Sequence, residues 1–349
     1  MYLGFEIFFL FLENADCILV RHYSVDGKTV ILIDGGSTQD TAVVRKFLND
    51  QGESRLNHLV CSHPHLDHGG GLIELVKDGT LSIDRAWLHV GDLLVDRINS
   101  SKYWACSSLL KRAQAAKETQ RNLVAALLAR KIPIEEPFAF NWIGPLQIVS
   151  PTPAFYNEQL DRIRRDDIVE LLNERYKQRD NRAVMENIFG KTPETVRIEE
   201  SEELGGEPTS PANEVSTIVL LPFQQQDGTT KHFLLTADAG TEALGQLREA
   251  SERTNHLLFQ TNWMQLPHHG SRRNINVDLV NYFRPRTAFV LAEGSNKHPS
   301  VKLVNTVKRA GGAVYSTHYP LQKTKGAWLR QTCGTVPPLS VTPATALWD

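Results

Sequence analysis

The chain has 349 residues, 41% of them hydrophobic and 22% charged, and its 40 acids against 38 bases leave a net charge of −2. That length suits one large domain or two small ones, and the composition excludes collagen-like, coiled-coil and mostly disordered chains. No bulk positive field gathers nucleic acid, so any such role needs a local basic groove.

Met1–Leu12 is strongly apolar. It predicts a buried β-strand rather than a signal peptide, because it has no basic start and no small-residue cleavage site. It is shorter than the roughly 20 residues that span a bilayer. No membrane partner and a cytoplasmic location are therefore expected. Cys17, Cys61, Cys106 and Cys333 form no C-x-x-C pair, which argues against a disulfide scaffold and a zinc finger.

Phe5–Phe11, Cys17–His22 and Thr29–Ile33 are aromatic and β-branched runs, the last entered through Val25-Asp26-Gly27-Lys28. They predict consecutive strands of one sheet. Asp40–Asn49 places Val43, Val44, Phe47 and Leu48 on one side of a helix. His58–Ser62 predicts a strand, His63–Gly71 a loop, Leu72–Val76 the start of a helix and Ile83–Val90 a further strand. Ser101–Lys131 has no Gly or Pro and predicts a long helix, or two, inserted into the fold. Phe138–Trp142 and Leu146–Val149 return to strands.

Asp161–Arg179 is charged and helical, and Pro193–Glu214 is acidic and rich in Pro, Gly and Ser, which predicts a flexible loop. Val215–Pro222 and His232–Thr236 predict strands, and Thr241–Arg253 a helix. Trp263–Leu266, the loop Pro267–Asn274, the strand Thr287–Ala292, the helix Ser300–Arg309 and the strand Ala313–Ser316 follow. About the last 30 residues show little periodicity and predict a surface tail. The order predicts an α/β fold: two sheets covered by outer helices, a four-layer αββα sandwich forming a single domain over 1–349. Helical insertions are expected near 92–135 and 155–212.

The densest chemistry is His63-Pro64-His65-Leu66-Asp67-His68, followed by Gly69-Gly70-Gly71. Neutral imidazole is the commonest zinc ligand, and carboxylate is a compatible partner. In a tight loop, ligands at i and i+2 can point to one metal, and the pair at i+4 and i+5 to a second. The glycines are expected to bend the backbone sharply into the next helix. Leu234–Gly240 puts Asp238 at the end of an apolar strand, where an acid often only caps a helix. Leu266-Pro267-His268-His269-Gly270-Ser271 again puts His directly after a strand. Three strand ends thus supply five His and two Asp, the ingredients of a two-metal hydrolase centre.

These pieces together resemble the metallo-β-lactamase fold superfamily. Ile31–Gly36, Leu235–Asp238, Pro267–Ser271 and Asn296-Lys297-His298-Pro299 are most similar to one branch, the hydrolase domain of the ComEC competence protein. The resemblance covers about residues 5–90 and 140–320, and the membrane channel of that protein has no counterpart here. It implies that His63 and His65 hold one metal, Asp67, His68 and His268 a second, and that Asp238 bridges them. The ions would be one or two Zn2+, or Mn2+, activating a water or hydroxide that Asp67 orients and deprotonates. Asp34 would hold a ligand His in place. His269 would either replace His268 as ligand or stabilise developing charge. His298 would contact phosphate or protonate the leaving group, unless it only caps the helix at Ser300. Many members add a mid-chain His, but none occurs here between His89 and His232. Asn213 lies where that ligand is expected.

The resemblance favours a phosphodiesterase or nuclease acting on DNA, with Ser271, Arg272 and Lys297 as substrate contacts. Arg273, Lys302, Lys308, Arg309, Arg162, Arg164 and Arg165 are further local bases. The near-neutral charge favours the alternative, a hydrolase of a small phosphoester, cyclic nucleotide or lactone. A third class is a partner-regulated or non-catalytic assembly subunit that binds a protein through the helical insertions.

Overall fold

The computed structural model describes residues 2–90, 108–162, 204–205, 209–225, 227–255, 257–292, 298–317 and 325–336. Two seven-stranded sheets stack face to face. The first begins with β1 (Tyr2–Leu10), β2 (Ile18–Ser24) and β3 (Gly27–Ile33), joined antiparallel. β5 (His58–Val60), β7 (Ala86–Trp87) and β8 (Ile134–Glu135) then add in parallel. The short pair β4 (Arg55–Leu56) and β6 (Ser82–Ile83) stands apart.

The second sheet runs β15 (Ala313–Ser316), β14 (Thr287–Val290), β13 (Trp263–Gln265), β12 (Thr230–Leu235), β11 (Ile218–Gln224), β10 (Leu146–Ser150) and β9 (Trp142–Ile143). Its first four strands are mutually parallel, and the rest pair antiparallel.

Three apolar clusters show why the layers form. Phe5, Ile7 and Phe9 of β1 meet Phe233, Leu221 and Phe289 between the sheets. The Phe9 and Phe289 rings stack with centroids 4.7 Å apart. The alternate residues Phe8 and Leu10 face the other way and pack with α1 (Thr41–Asp50), α2 (Leu66–Asp78) and α3 (Ser108–Ala129). β1 is therefore largely apolar on both faces, with Glu6 its one charged residue, which accounts for its hydrophobic run. The outer face of the second sheet is covered by α6 (Thr241–Arg253), α8 (Val277–Phe283) and α9 (Val301–Arg309). The order helix, sheet, sheet, helix is the expected four-layer αββα sandwich.

Several expectations change. The tail contains β16 (Trp328–Gly334), which pairs antiparallel with β1 and closes the edge of the first sheet. Its polar residues conceal it: the Arg330 side chain is buried against Glu6, itself buried and shared with Arg21. The segment 63–71 is not all loop, since α2 starts at Leu66. His65 is the extended residue before its first turn, Asp67 lies in that turn, and Gly79 ends the helix at φ 75°. Ile83–Val90 contains only the short strands β6 and β7, and Phe138–Trp142 contributes only Trp142 to β9. The expected helix over Asp161–Arg179 is described only at 161 and 162, which are helical in α4, described over 153–162. The first part of Ser101–Lys131 and most of Pro193–Glu214 lie outside the described residues, as do Arg164, Arg165, Asn296 and Lys297. Among the described residues, no helix is long and apolar enough to cross a membrane.

Gly69, Gly70 and Gly71 do not bend the chain. All three lie inside α2, buried, and none has a positive φ. They let α2 approach its neighbours: a Cβ on Gly71 would lie 2.0 Å from the Gly35 carbonyl oxygen, and one on Gly70 2.9 Å from the Thr38 amide nitrogen.

Candidate metal centre

The strand ends that carry the predicted site residues converge at one edge of the sandwich. β3 delivers Asp34, β5 runs into His63 and α2, β12 leads to Asp238, and β13 leads to the turn α7 (Pro267–Gly270). The two sheets are tied there by the Thr217 amide, which donates to the Ser62 carbonyl at 2.9 Å.

Asp34 organises the first sheet's contribution. It adopts φ 58°, a left-handed conformation that turns the chain out of β3. Its carboxylate accepts from the Ser62 amide at 2.8 Å and the Ser62 hydroxyl at 2.6 Å. It also meets His68 Nδ1 at 2.8 Å. With its proton given to Asp34, Ser62 Oγ accepts from His63 Nδ1 at 3.1 Å. One carboxylate thus places a proton on Nδ1 of both rings and turns both Nε2 atoms toward the site, as ligand histidines require.

Two groups of metal-capable atoms result. His63, His68 and Asp238 form one, and Asp67, His68 and His269 the other, with the atoms of each group within 4.8 Å of one another. His68 Nε2 lies 3.4 Å from Asp238 Oδ1 and 3.9 Å from Asp67 Oδ2. Asp238 Oδ2 lies 3.6 Å from His63 Nε2 and 3.6 Å from His268 Nδ1. His65 Nδ1 stands 2.9 Å from His63 Nε2. His68 Nε2 and Asp238 Oδ1 are fully buried yet have no hydrogen-bond partner. A buried polar atom left that way costs about 1–3 kcal/mol. A cation between them would satisfy both, so the donors fit a metal.

Charge follows the same layout. Burial pushes the His63 and His65 imidazoles below their ordinary pKa, which keeps them neutral. Burial also opposes charge on His68, but Asp238, Asp34 and Asp67 outweigh it and hold that ring well above the usual value. Burial likewise opposes ionisation of Asp238, and His268, His68 and His63 overcome it.

The His pair divides its work. His268 and His269 both have positive φ, 50° and 56°. His269 is buried, its Nδ1 meets the Leu291 carbonyl at 2.8 Å, and its Nε2 lies 3.8 Å from Asp67 Oδ2. His268 is partly exposed, and its Nδ1 meets Asn213 Nδ2 at 2.9 Å. The structure therefore gathers His269, rather than His268, with Asp67 and His68. His268 stacks on His298, ring centroids 5.7 Å apart and planes 19° from parallel. His298 does not cap α9, because the Ser300 hydroxyl accepts from the Leu303 amide. Ser271 is buried and its hydroxyl accepts from the Arg273 amide at 3.2 Å, so it shapes the turn from within. Arg272 is partly exposed beside it, and Lys297 lies outside the described residues.

Asn213 belongs to the one-turn helix α5 (Pro211–Glu214). Its neighbour Glu214 is buried under the start of α6, accepting from the Ala243 amide at 2.8 Å. Burial raises the Glu214 carboxyl to about 7. The folded chain thus holds a proton that the unfolded chain releases near pH 4.5. The resulting stability is complete below that pH and is lost as pH rises through about 7. Wild type is expected to lose about 3 kcal/mol of stability relative to Glu214→Gln between pH 4.5 and 7.5, at about 1.4 kcal/mol per unit. Urea melts at several pH values would show it; a pH-independent difference would contradict it.

Sequence reasoning missed Asp16 and Gln265. Asp16 is a buried acid preceding β2, and its Oδ1 lies 3.2 Å from His269 Nδ1. An acid between the apolar runs Phe5–Leu12 and Cys17–Val20 was the available signal.

Residues 11–91 match the family model of the metallo-beta-lactamase superfamily. That stretch holds Asp16, Asp34 and the whole His63–His68 motif. Similar solved structures include the metallo-beta-lactamase fold protein YhfI from Bacillus subtilis, at 11% identity, 95% of this chain, 100% of that one and TM-score 0.44. A long form RNase Z from yeast is 13% identical over 83% of this chain and 37% of that one, TM-score 0.34. The hydrolase AbOPH, in the beta lactamase superfamily, is 11% identical over 90% of this chain and 74% of that one, TM-score 0.35. No curated protein matches the chain in sequence. The family match and the two helix-covered sheets give a metallo-β-lactamase-like αββα fold.

Proposed function

We propose that this protein is a metal-dependent hydrolase that cleaves phosphodiesters, with DNA as its substrate. The observation that carries the metal is the facing pair of buried, unpartnered atoms His68 Nε2 and Asp238 Oδ1, with His68 common to two three-residue groups. His63 and Asp238 would hold one divalent ion, Zn2+ or Mn2+, with His65 beside them, and Asp67 and His269 another; the single free nitrogen of His68, Nε2, would go to one of the two. Such ions lower the pKa of bound water and neutralise phosphoryl charge.

The chain's own groups supply the rest. Asp67 is partly exposed at the open side of the site, placed to orient water and accept its proton. In this reading the stacked His268 and His298 would protonate the leaving oxygen, and Arg272, which follows the turn, would contact phosphate. The phosphodiester reading rests on the similarity of Pro267–Ser271 and Asn296–Pro299 to the ComEC hydrolase domain, and on these bases.

The test uses metal-stripped protein given Zn2+, Mn2+ or Mg2+, with linear, circular and single-stranded DNA beside a chromogenic phosphodiester. DNA cleavage is expected to return with metal and to fall at least about 100-fold in Asp67→Ala, the low end of what a general base contributes. Hydrolysis of the chromogenic ester alone would move the substrate to small phosphoesters. Bound metal with neither activity would overturn the hydrolase reading.

A further inference from the structure

We propose that Asp16 is a positioning residue for the second metal group: it holds His269 with its proton on Nδ1 and its Nε2 toward Asp67. This rests on the metal-centre reading above and names a residue outside both ligand groups.

His269 sits on a turn at φ 56°, a conformation that does not by itself fix the ring. Two acceptors meet its Nδ1: the Leu291 carbonyl at 2.8 Å and Asp16 Oδ1 at 3.2 Å. The N–H points at the carbonyl, so Asp16 Oδ1 makes a charge contact and has no hydrogen-bond partner. Asp16 is 1% exposed. A buried carboxylate with an open lone pair is costly unless something positive or polarised faces it. Here that is the His269 ring. The effect on the ring is the one an outer carboxylate has on a ligand imidazole: it fixes the tautomer and raises the donor strength of the far nitrogen.

Asp16 is itself held rigidly. Its Oδ2 accepts from Gln265 Nε2 at 2.9 Å. Its amide donates to the Asp67 carbonyl at 3.2 Å, and its carbonyl accepts from the Gly36 amide at 2.9 Å. Gln265 Oε1 in turn accepts from the Thr236 and Ala237 amides, both at 3.1 Å, just ahead of Asp238. One buried bridge therefore runs from the first sheet, through Asp16 and Gln265, to the turn that carries Asp238. It also touches the backbone of Asp67. The second ligand group is set in register with the first by side chains that touch no substrate.

The test has two parts. In the metal-free wild type, histidine-ring nitrogen NMR is expected to show a proton on His269 Nδ1 at every pH at which the chain is folded, whatever charge the ring carries. A bare Nδ1 would overturn the proposal. In Asp16→Asn, calorimetric titration with Mn2+ and Zn2+ is expected to show one of the two ions bound about 10–100-fold more weakly, the range for losing an outer-shell partner. The other ion should bind as in wild type, and Asp16→Glu should recover part of the loss. Equal wild-type affinity for both ions in a folded Asp16→Asn would overturn it. Should that variant not fold, the wild-type ring measurement still decides. A wild type that binds no divalent ion would sink the hydrolase reading, and the ring measurement would then decide the role of Asp16 by itself.

Discussion

Asp238→Asn is expected to yield a folded chain that has lost both metal-ion occupancy at the first group and hydrolysis. Asparagine keeps the shape and removes the charge. The carboxylate it replaces faces three imidazoles, at 3.4 Å from His68 Nε2, 3.6 Å from His63 Nε2 and 3.6 Å from His268 Nδ1. It is buried at 1% exposure, so water cannot stand in for it. An outer-shell partner is worth about 10–100-fold in affinity, so loss of a direct ligand should exceed 100-fold. The fold should survive, because Asp238 closes no backbone turn with its side chain, whereas its carbonyl, which accepts from Asn274 Nδ2 at 2.8 Å, is untouched. Metal titration and DNA cleavage, measured beside near-ultraviolet circular dichroism, check this. A folded variant that binds metal within threefold of wild type would remove Asp238 from the centre.

What the sequence made legible was local chemistry. The six-residue His-Asp motif, the acid ending an apolar strand and the second His pair each announce themselves by residue type and place. Layering was legible for the same reason: β1 is largely apolar on both faces, as a strand between a sheet and a helix layer is. Choices that depend on distant groups were not. His269, the one gathered with Asp67, meets the Leu291 carbonyl, 22 residues downstream, and Asp16, in the segment between β1 and β2, neither of them near it in sequence. β16 was missed because Arg330 reads as surface until Glu6 is known to wait for it. The three glycines were noticed but misread: glycine signals a bend or a close approach equally well, and only the Gly35 carbonyl over α2 tells which.

That close approach gives the second large effect. Gly71→Ala is expected to cost about 3 kcal/mol or more of folding stability and to weaken metal binding with it. The added methyl would meet the Gly35 carbonyl oxygen at 2.0 Å and the Ser37 carbonyl oxygen at 3.1 Å. Overpacking a core costs about 1–3 kcal/mol when side chains can give way, but here the obstacle is backbone. Relief requires α2 to move off the turn after β3. That turn is stitched to α2 by the Gly35 amide on the His68 carbonyl and the Gly71 amide on the Gly36 carbonyl, both at 2.8 Å. Moving α2 therefore also stretches the 2.8 Å contact of Asp34 with His68 and turns Nε2 away from Asp238. A built-in control exists in α6, where a Cβ on Gly245 meets nothing within 4 Å. Gly245→Ala should gain about 0.5–1 kcal/mol, as a helix-interior glycine replaced without strain does. Urea unfolding of the two variants, with metal titration of each, separates helix propensity from close packing. If Gly71→Ala is as stable as wild type and keeps its metal, α2 does not depend on this contact to aim His68.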